Sequence, residues 1–226
     1  MHVLIDGDII GYRIGFSTEE ENEKIVVSRV ATFIETMLWE DLDAETYQGY
    51  LTGSGNFRND IARTAPYKGN RTAPKPKHLQ FIRDYLVSAW GFEISEGQEA
   101  DDSIAIAHVA NNYESIIASI DKDFLQLRGN HWNFVKKEMT VVTDEEALLN
   151  FYRQVLTGDR VDNIIGLKGI GPVKADKILQ GCESGTEMYL ACIEAYGGAE
   201  ERVIENCGLL WLRRTVGEIW QPPGMV

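Results

Sequence analysis

Acidic residues recur along this chain directly after apolar runs. Asp6 and Asp8 follow the run "HVLI", and Asp121 and Asp123 follow the run "SIIASI". Short apolar runs of this kind predict buried parallel strands. Because the carboxyl ends of the strands in an open parallel sheet form the crevice where ligands bind, we expect these carboxylates at one edge of a sheet.

Two further acidic groups accompany these pairs. Glu99, Asp101 and Asp102 stand at the start of a predicted helix, from which they can point at the same crevice. Asp159 and Asp162 are three residues apart and would share one face if their segment is helical. Each group alone has an ordinary explanation as a turn, a helix cap or a set of charges that favours a helix dipole. Their combination suggests a shared site.

A cluster of carboxylates needs compensating charge. Two carboxylates within ~4 Å of each other repel by about 4 kcal/mol at an effective dielectric of about 20. Such a cluster persists when it is protonated, paired with bases or bridged by cations. The one lysine inside these motifs is Lys122, which strand alternation would point away from Asp121 and Asp123. Oxygen ligands without His or Cys suit Mg²⁺ or Mn²⁺, and two such ions together form an arrangement that cuts phosphodiester bonds.

A basic, glycine-rich segment, "GLKGIGPVKADKIL", follows at residues 166–179. Glycines let the backbone approach a phosphate closely, and a helix opening at Pro172 would offer free N–H groups. The glycines are Gly166, Gly169 and Gly171, and the lysines are Lys168, Lys174 and Lys177. Lysines supply counter-charge without reading bases, so we expect salt-sensitive binding of a duplex backbone. A packing turn between two helices is the alternative.

Up to Thr143, predicted strands and predicted helices alternate along the chain. Strands are predicted in "HVLI", "TYQGYLTG", "GFEIS" and "SIIASID", helices in 25–39, 78–90 and "EADDSIAIAHVANNY", and a hairpin in "HWNFVKKEMTVVT". This order implies a mostly parallel α/β sheet flanked by helices. Beyond Thr143 we predict only helices and tight turns, with capping patterns at Thr143–Glu146 and Ser184–Glu187.

The predicted organisation is therefore an α/β core at 1–143 and a helical region at 144–226 that contains the hairpin 166–171. A basic insertion at about 55–78 interrupts the core. Its residues 58–77 hold six Lys and Arg against one acid, although the whole chain has a net charge of −13. Charge alone leaves open whether the partner is nucleic acid, because distribution matters more than the total.

Composition narrows the class of protein further. Three cysteines without a C-x-x-C pair do not suggest a disulfide framework. No run approaches the roughly 18 apolar residues of a membrane span, and the first residues lack the pattern of a secretory signal. We expect a soluble, monomeric protein in a reducing, intracellular setting, without a membrane partner.

Five motifs occur in the order seen in the flap endonuclease/5′-nuclease family, which this sequence resembles. They are "DGD", "PYKGNR", "EADD", "DKDF" and "GDRVDNIIGLKGIGPVKADKIL", and they extend from Asp6 to about Leu179. The resemblance is to phage 5′–3′ exonucleases and to the 5′-nuclease domain of bacterial DNA polymerase I. It implies a PIN-like fold with an arch insertion and a C-terminal helix–three-turn–helix motif. It also implies that the protein acts in a bacterial or phage-infected host cytoplasm.

The resemblance also implies roles for individual residues. One metal would be held by Asp6, Glu99, Asp101 and Asp102, and a second by Asp121, Asp123, Asp159 and Asp162. Lys68 and Arg71 would be the arch residues that contact the scissile phosphate, and Tyr67 beside them would stack on a base or pack under the insertion. The hairpin would hold duplex DNA, and its carbonyls, those of Leu167 and Ile170, would bind K⁺.

One position departs from the family pattern. Related phage sequences carry an aspartate after the second strand, where "LTGSGNFR" has Gly53. The first metal site would then lack one carboxylate, which water or Asp8 could replace. On this basis we expect Gly53→Asp to tighten the dependence on Mg²⁺.

The predicted function is that of a Mg²⁺-dependent structure-specific 5′ nuclease acting on DNA with 5′ ends, flaps or branches, with RNA/DNA hybrids as further substrates. One alternative is a catalytically weakened module of the same fold that binds branched DNA. Another is a phosphatase that uses Asp6 and Asp8 as nucleophile and acid, although it has no use for the hairpin or for "YKGNR". The sequence does not decide between exonuclease and flap endonuclease action.

Overall fold

The computed structural model describes residues 1–224, and the chain divides into two compact units. The first comprises Met1–Gly55, Ala73–Phe124 and Gly129–Val141. The second comprises Asn56–Thr72, Leu125–Arg128 and the described residues from Val142 onward. Much of the basic insertion, Asn56–Thr72, is thus part of the second unit.

A six-stranded sheet forms the centre of the first unit. Its strands are β1 (His2–Asp6), β2 (Thr46–Thr52), β3 (Glu93–Ser95), β4 (Ile116–Ala118), β5 (Gly129–Asn133) and β6 (Glu138–Val142), in the order β3-β2-β1-β4-β5-β6. The pairings of β1 with β2 and β4, of β2 with β3 and of β4 with β5 are parallel. The mostly parallel α/β sheet predicted from the sequence is confirmed.

Helices cover this sheet. They are α1 (Gly7–Ser17), α2 (Glu23–Glu35), α4 (Leu79–Trp90) and α5 (Ala100–Ala110), and α2 continues into a π-helical turn at Thr36–Asp41. The apolar core packs α1, α2 and α4 against β1 and β2 through buried residues such as Ile10, Val30 and Leu86. Helix α5 also packs against β1 and β2. A 3₁₀ turn, Lys122–Gln126, follows β4.

The sequence did not predict α1, because glycines at positions 7, 11 and 15 lower helix propensity and "DGD" resembles a turn. Asp6 caps the helix, since its side chain accepts a hydrogen bond from the backbone of Ile9. The glycines permit close packing: a Cβ on Gly7 would lie 2.6 Å from the carbonyl oxygen of Tyr50, and one on Gly15 would lie 2.6 Å from the Cβ of Pro76. Tertiary contact therefore outweighs local propensity here.

The second unit is built mainly from helices. They are α3 (Arg58–Ile61), α6 (Asp144–Thr157), α7 (Pro172–Leu179), α8 (Gly185–Ala195) and α9 (Glu200–Leu210). The predicted caps at Thr143 and Ser184 are present, and each side chain accepts from the backbone N–H three residues later. A short antiparallel pair, β7 (Gly158–Asp159) with β8 (Ile164–Ile165), was not predicted. Its two-residue strands are too short to show a period.

No helix within residues 1–224 is long and apolar enough to cross a membrane.

Candidate functional site

Asp6 is the buried carboxylate at the carboxyl end of β1. It is 1% exposed, and its oxygens accept hydrogen bonds from the Ile9 backbone at 3.2 Å and from the Ser119 hydroxyl at 2.7 Å. Burial raises the pKa of Asp6 to about 7, and the charges of Asp8 and Asp121 contribute to the rise. A carboxylate in this environment favours a proton or a cation beside it.

Ser119 connects Asp6 to the acidic pair after β4. The Ser119 hydroxyl that donates to Asp6 also accepts from the backbone N–H of Asp121 at 3.0 Å. The Asp121 carboxylate in turn accepts from the backbone of Asp123 at 2.9 Å. Ser119 therefore links the carboxyl ends of β1 and β4, and the role of these acids as metal ligands stays a prediction.

Lys122 does not point away from its neighbours as the sequence predicted. Its ammonium lies 3.1 Å from the Asp123 carboxylate. The expectation was wrong because the residues after β4 form a 3₁₀ turn, in which strand alternation does not apply. Lys122 is 63% exposed, so this ion pair is open to solvent and weak.

The third acidic group lies in the first turn of α5, as predicted. Glu99 is the N-cap residue, and the Asp102 carboxylate accepts from the Glu99 backbone at 3.1 Å. The backbone N–H of Ala100 donates to the Thr52 hydroxyl at 2.9 Å. Because Thr52 ends β2, this bond fixes the first turn of α5 to the carboxyl edge of the sheet. Asp101 lies in the same turn.

Asp8 has a structural partner that the sequence did not reveal. Its carboxylate lies 2.6 Å from the Arg83 guanidinium and accepts from the Thr52 backbone at 3.0 Å. Arg83 also donates to the carbonyl oxygen of Thr52. With both oxygens engaged, Asp8 does not take the place of a ligand missing at Gly53.

Gly53 stands where the neighbouring strand approaches closely. Its N–H donates to the carbonyl oxygen of Ser95 at 2.8 Å. A Cβ at this position would lie 2.6 Å from that oxygen and 2.6 Å from an oxygen of the Glu96 carboxylate. Any larger residue at position 53 would therefore have to displace β3 or Glu96.

The donor set of the first unit fits a hard divalent cation, since it consists of carboxylate oxygens around a buried aspartate. Within residues 1–224, no three His, Cys, Asp or Glu side chains are close enough to share one metal ion as they stand. The ligands would have to close around the ion, or water would have to complete its coordination. The chemistry of the donors, rather than a preformed cage, supports a metal here.

From the sequence, Asp159 and Asp162 were expected on one face if their segment was helical. In the structure this segment of the second unit is not a helix. Asp159 ends β7, and the chain then turns toward β8. The Asp159 carboxylate accepts from the backbone of Val161 at 2.7 Å and of Asp162 at 3.2 Å. Its other oxygen accepts from Gln154 at 3.3 Å. The turn is thus built around Asp159.

The Asp162 carboxylate contacts all three candidate site residues of the "YKGNR" motif, which are Tyr67, Lys68 and Arg71. This carboxylate accepts from the Tyr67 hydroxyl at 2.9 Å and from Arg71 at 2.7 Å, and the Lys68 ammonium lies 3.7 Å away. Tyr67 also packs against the apolar core of this unit. These contacts favour the packing interpretation of Tyr67 over base stacking.

The hairpin 166–171 leads into α7, which opens at Pro172 as predicted. Gly169 has a φ of +79°, a conformation that favours glycine. The Lys174 ammonium donates to the carbonyl oxygen of Gly169 at 2.8 Å, and the Ile170 N–H donates to the carbonyl of Leu167 at 3.2 Å. Gly171 is the N-cap residue, while Lys168 and Lys177 are exposed.

Sequence reasoning missed Ser119, Thr52 and Arg83. Their contacts are long-range: Ser119 is 113 residues from Asp6, and Arg83 is 75 residues from Asp8. A hydroxyl two residues before Asp121 was the one local signal, and it is too common to single out.

Comparison with known proteins assigns the family. Residues 1–153 match the family model described as 5′-3′ exonuclease, N-terminal resolvase-like domain. The chain is 32% identical over 207 residues to a 5′-3′ exonuclease of Mycoplasma genitalium, which covers 79% of this chain and 71% of that protein. It is 34% identical over 156 residues to DNA polymerase I of Deinococcus radiodurans, which covers 63% of this chain but 14% of the polymerase.

Solved structures agree on the fold. The T5 D15 protein co-crystallised with metal ions matches with a TM-score of 0.76 at 19% identity, over 92% of this chain and 88% of that one. The T5 5′-exonuclease with bound zinc matches with a TM-score of 0.71 at 20% identity, over 93% and 89%. The family-model match over residues 1–153 and the identity to the Mycoplasma exonuclease show that the chain belongs to the 5′–3′ exonuclease/flap endonuclease family of nucleases.

Proposed function

We propose that this protein is a structure-specific 5′ nuclease that hydrolyses phosphodiesters of DNA near 5′ ends or flap junctions with the help of Mg²⁺ or Mn²⁺. The observation that carries the proposal is the chain of contacts from Asp6 through Ser119 to Asp121. It links the buried Asp6 carboxylate at the end of β1 to the backbone N–H of Asp121 after the neighbouring strand β4, and the Asp121 carboxylate lies close enough to help raise the pKa of Asp6.

The proposed metal ligands in the first unit are the acidic residues of this edge: Asp6, Glu99, Asp101, Asp102, Asp121 and Asp123. Bound divalent ions would polarise the phosphodiester and stabilise the leaving oxygen, with two ions in the mechanism that the resemblance implies. Asp159 and Asp162 as ligands of the second ion stay a prediction from that resemblance.

Names of relatives support this assignment. A relative from Shewanella sediminis, 32% identical over 154 residues that cover 61% of this chain and 59% of that protein, is named flap endonuclease Xni. A solved T5 D15 flap endonuclease variant is described as a pseudo-enzyme-product complex with DNA and metal ions, with a TM-score of 0.70 at 19% identity. It covers 92% of this chain and 88% of that chain.

The chain's own cations would bind the substrate. Lys68 and Arg71 would contact the scissile phosphate, since both carry positive charge on one short segment of the second unit. The N–H groups at the start of α7, with Lys168 and Lys174 nearby, would hold the duplex backbone. K⁺ at the carbonyls of Leu167 and Ile170, a role for Lys177, RNA/DNA hybrids as substrates and a monomeric state remain predictions.

A second candidate is a module of the same fold that binds branched DNA with weakened catalysis. Gly53 favours it, because the expected carboxylate is absent and the space beside it is filled. The phosphatase alternative is less favoured, because Asp8, its acid, is held by Arg83 and Thr52.

The test is cleavage of flap DNA labelled at its 5′ end, in Mg²⁺ and in EDTA. We expect wild-type protein to release a labelled fragment in Mg²⁺ and none in EDTA. Fragments that end near the junction would indicate flap endonuclease action, and mononucleotides would indicate exonuclease action. Asp123→Asn should reduce the rate at least about a hundredfold if it removes a group that stabilises transition-state charge.

Asp43→Asn is the matched control, since Asp43 is an exposed carboxylate of the same unit at a φ of +47° that asparagine tolerates. It should cleave at the wild-type rate. If wild-type protein binds the flap DNA but does not cleave it in Mg²⁺ or in Mn²⁺, the nuclease proposal is wrong and the DNA-binding module is the better assignment.

A further inference from the structure

Two short segments of the second unit are joined by hydrogen bonds beside the contacts of Lys68 and Arg71 with Asp162. The arch segment, residues 66–71, carries Lys68 and Arg71. The acidic turn, residues 159–163, carries Asp162. The Asp162 carboxylate binds Arg71 at 2.7 Å and lies 3.7 Å from the Lys68 ammonium.

Two asparagine side chains connect the backbones in opposite directions. The Asn163 amide of the acidic turn donates to the carbonyl oxygen of Pro66 at 2.9 Å. The Asn70 amide of the arch segment donates to the carbonyl oxygen of Arg160 at 2.6 Å. Between them, the backbone N–H of Lys68 donates to the carbonyl of Asp162 at 2.8 Å. Three hydrogen bonds therefore clamp the two segments.

The backbone conformation at the clamp is specific. Asn163 has a φ of +59° and Lys68 a φ of +53°, a region that most residues avoid. Asparagine enters it more readily than most residues, and here its amide also reaches across to the other segment. Because Asn163 directly follows Asp162 in the chain, the bond to Pro66 fixes the residue beside the carboxylate that binds Lys68 and Arg71.

We propose that Asn163 and Asn70 are positioning residues, which hold the arch segment against the acidic turn so that Lys68 and Arg71 are presented as one unit with Asp162. The amide groups of the two asparagines contact backbone carbonyl oxygens and have no role at the reacting atoms. Their effect on catalysis, which rests on the proposed nuclease function, comes from the precision with which the two cations are placed.

The first variant is Asn163→Gly, which keeps the positive φ while it removes the amide. Asn70→Ala removes the opposite bond. Asn112→Gly is the matched control, because Asn112 is an exposed asparagine with a φ of +52° in the loop after α5, in the first unit. It reports any effect of the substitution on chain flexibility alone.

Limited proteolysis measures how often the arch segment opens, and it does not depend on nuclease activity. Trypsin cleaves after Lys68 and Arg71, and cleavage of a folded protein follows the population of the locally open form when reclosing is fast. Loss of one hydrogen bond should raise that population about fivefold. We expect Asn163→Gly and Asn70→Ala to be cut in the arch segment about five times faster than wild type, while Asn112→Gly is cut there at the wild-type rate.

The kinetics of flap cleavage test whether the two asparagines position Lys68 and Arg71. Both variants should lower kcat about fivefold or more, with unchanged KM for DNA and unchanged Mg²⁺ dependence, because neither residue is assigned to substrate or metal. Faster proteolysis with wild-type or higher kcat would overturn the positioning role. Unchanged proteolysis would overturn the clamp itself.

The two readouts also separate this inference from the proposed function. If wild-type protein cleaves no DNA under any condition, the nuclease proposal fails and the positioning role fails with it. The proteolysis result would still decide whether the clamp exists.

Discussion

Asp6 is the residue whose environment most constrains the chemistry. Burial keeps it out of solvent, and Asp8 and Asp121 add negative charge, so its pKa is raised to about 7. In the unfolded chain an aspartate has a pKa of about 3.9. The folded protein therefore binds more protons than the unfolded chain between these values, and without metal its stability should fall as pH rises through that window.

This gives a prediction for protein freed of metal with EDTA. Asp6→Asn should leave the free energy of unfolding close to wild type at pH 4, where both forms are neutral in the folded state. At pH 8 the variant should be more stable, because wild type must ionise a buried acid at up to about 1.4 kcal/mol per pH unit. Urea unfolding at the two pH values measures this. If Asp6→Asn and wild type have the same free energy of unfolding at pH 4 and also at pH 8, the pKa of Asp6 is not raised.

Gly53 illustrates how the structure revises a residue-level expectation. The sequence predicted that Gly53→Asp would tighten the dependence on Mg²⁺ by restoring a ligand. The contact distances predict instead that both Gly53→Asp and Gly53→Ala destabilise the protein by about 1–3 kcal/mol, because a Cβ meets the carbonyl of Ser95.

Urea unfolding of both variants, with a Mg²⁺ titration of Gly53→Asp, separates the two views. Gly53→Ala serves as the control for sterics without a carboxylate. If Gly53→Asp has the stability of wild type and its activity saturates at a lower Mg²⁺ concentration, the carboxylate acts as a metal ligand, as the sequence predicted.

At the scale of elements, the end of β2 fixes the start of α5. Thr52 accepts from the Ala100 backbone, and its own backbone N–H is bound by Asp8. Glu99, Asp101 and Asp102 lie in the turn that this contact holds. The Thr52 hydroxyl therefore helps to orient the turn that carries three proposed ligands, together with the bond between Ser95 and Ser103.

Thr52→Val should weaken Mn²⁺ binding about fivefold, the effect of one lost hydrogen bond on a ligand-bearing turn. The matched control is Thr46→Val, at the opposite end of the same strand, where the Thr46 hydroxyl contacts His2 at 2.8 Å. Calorimetric titration of Mn²⁺ compares the two variants. Equal affinities would show that this bond does not position the ligands.

The elements themselves were mostly readable from the sequence. Long periodic segments such as α2, α4 and α5 and the apolar strands β1 and β4 were predicted, because each buries a face with a regular period. Helix α1 was missed because its glycines serve packing, and the pair β7–β8 because it is too short. The acidic groups were found by their position after strands, whereas Ser119, Thr52 and Arg83 depend on long-range contacts that no spacing encodes.

At the scale of the molecule, a chain with a net charge of −13 is assigned to a family of nucleases. Its acids include the group at the strand ends, where bound cations would offset the repulsion. Five of its basic residues lie in the arch segment and around the hairpin of the second unit, namely Lys68, Arg71, Lys168, Lys174 and Lys177. These are the charges that we propose hold phosphate, and Asp162 binds the first two of them.

Calorimetric titration with Mn²⁺ at pH 8 compares wild type with Asp6→Asn. If the carboxylates at the strand ends hold the metal, Asp6→Asn should bind Mn²⁺ at least about tenfold more weakly, since it loses a charged oxygen ligand. Asp84→Asn, which changes a carboxylate on α4 bound to Gln80 at 2.8 Å, should bind as wild type does. Equal affinity of wild type and Asp6→Asn would contradict a metal site built on β1.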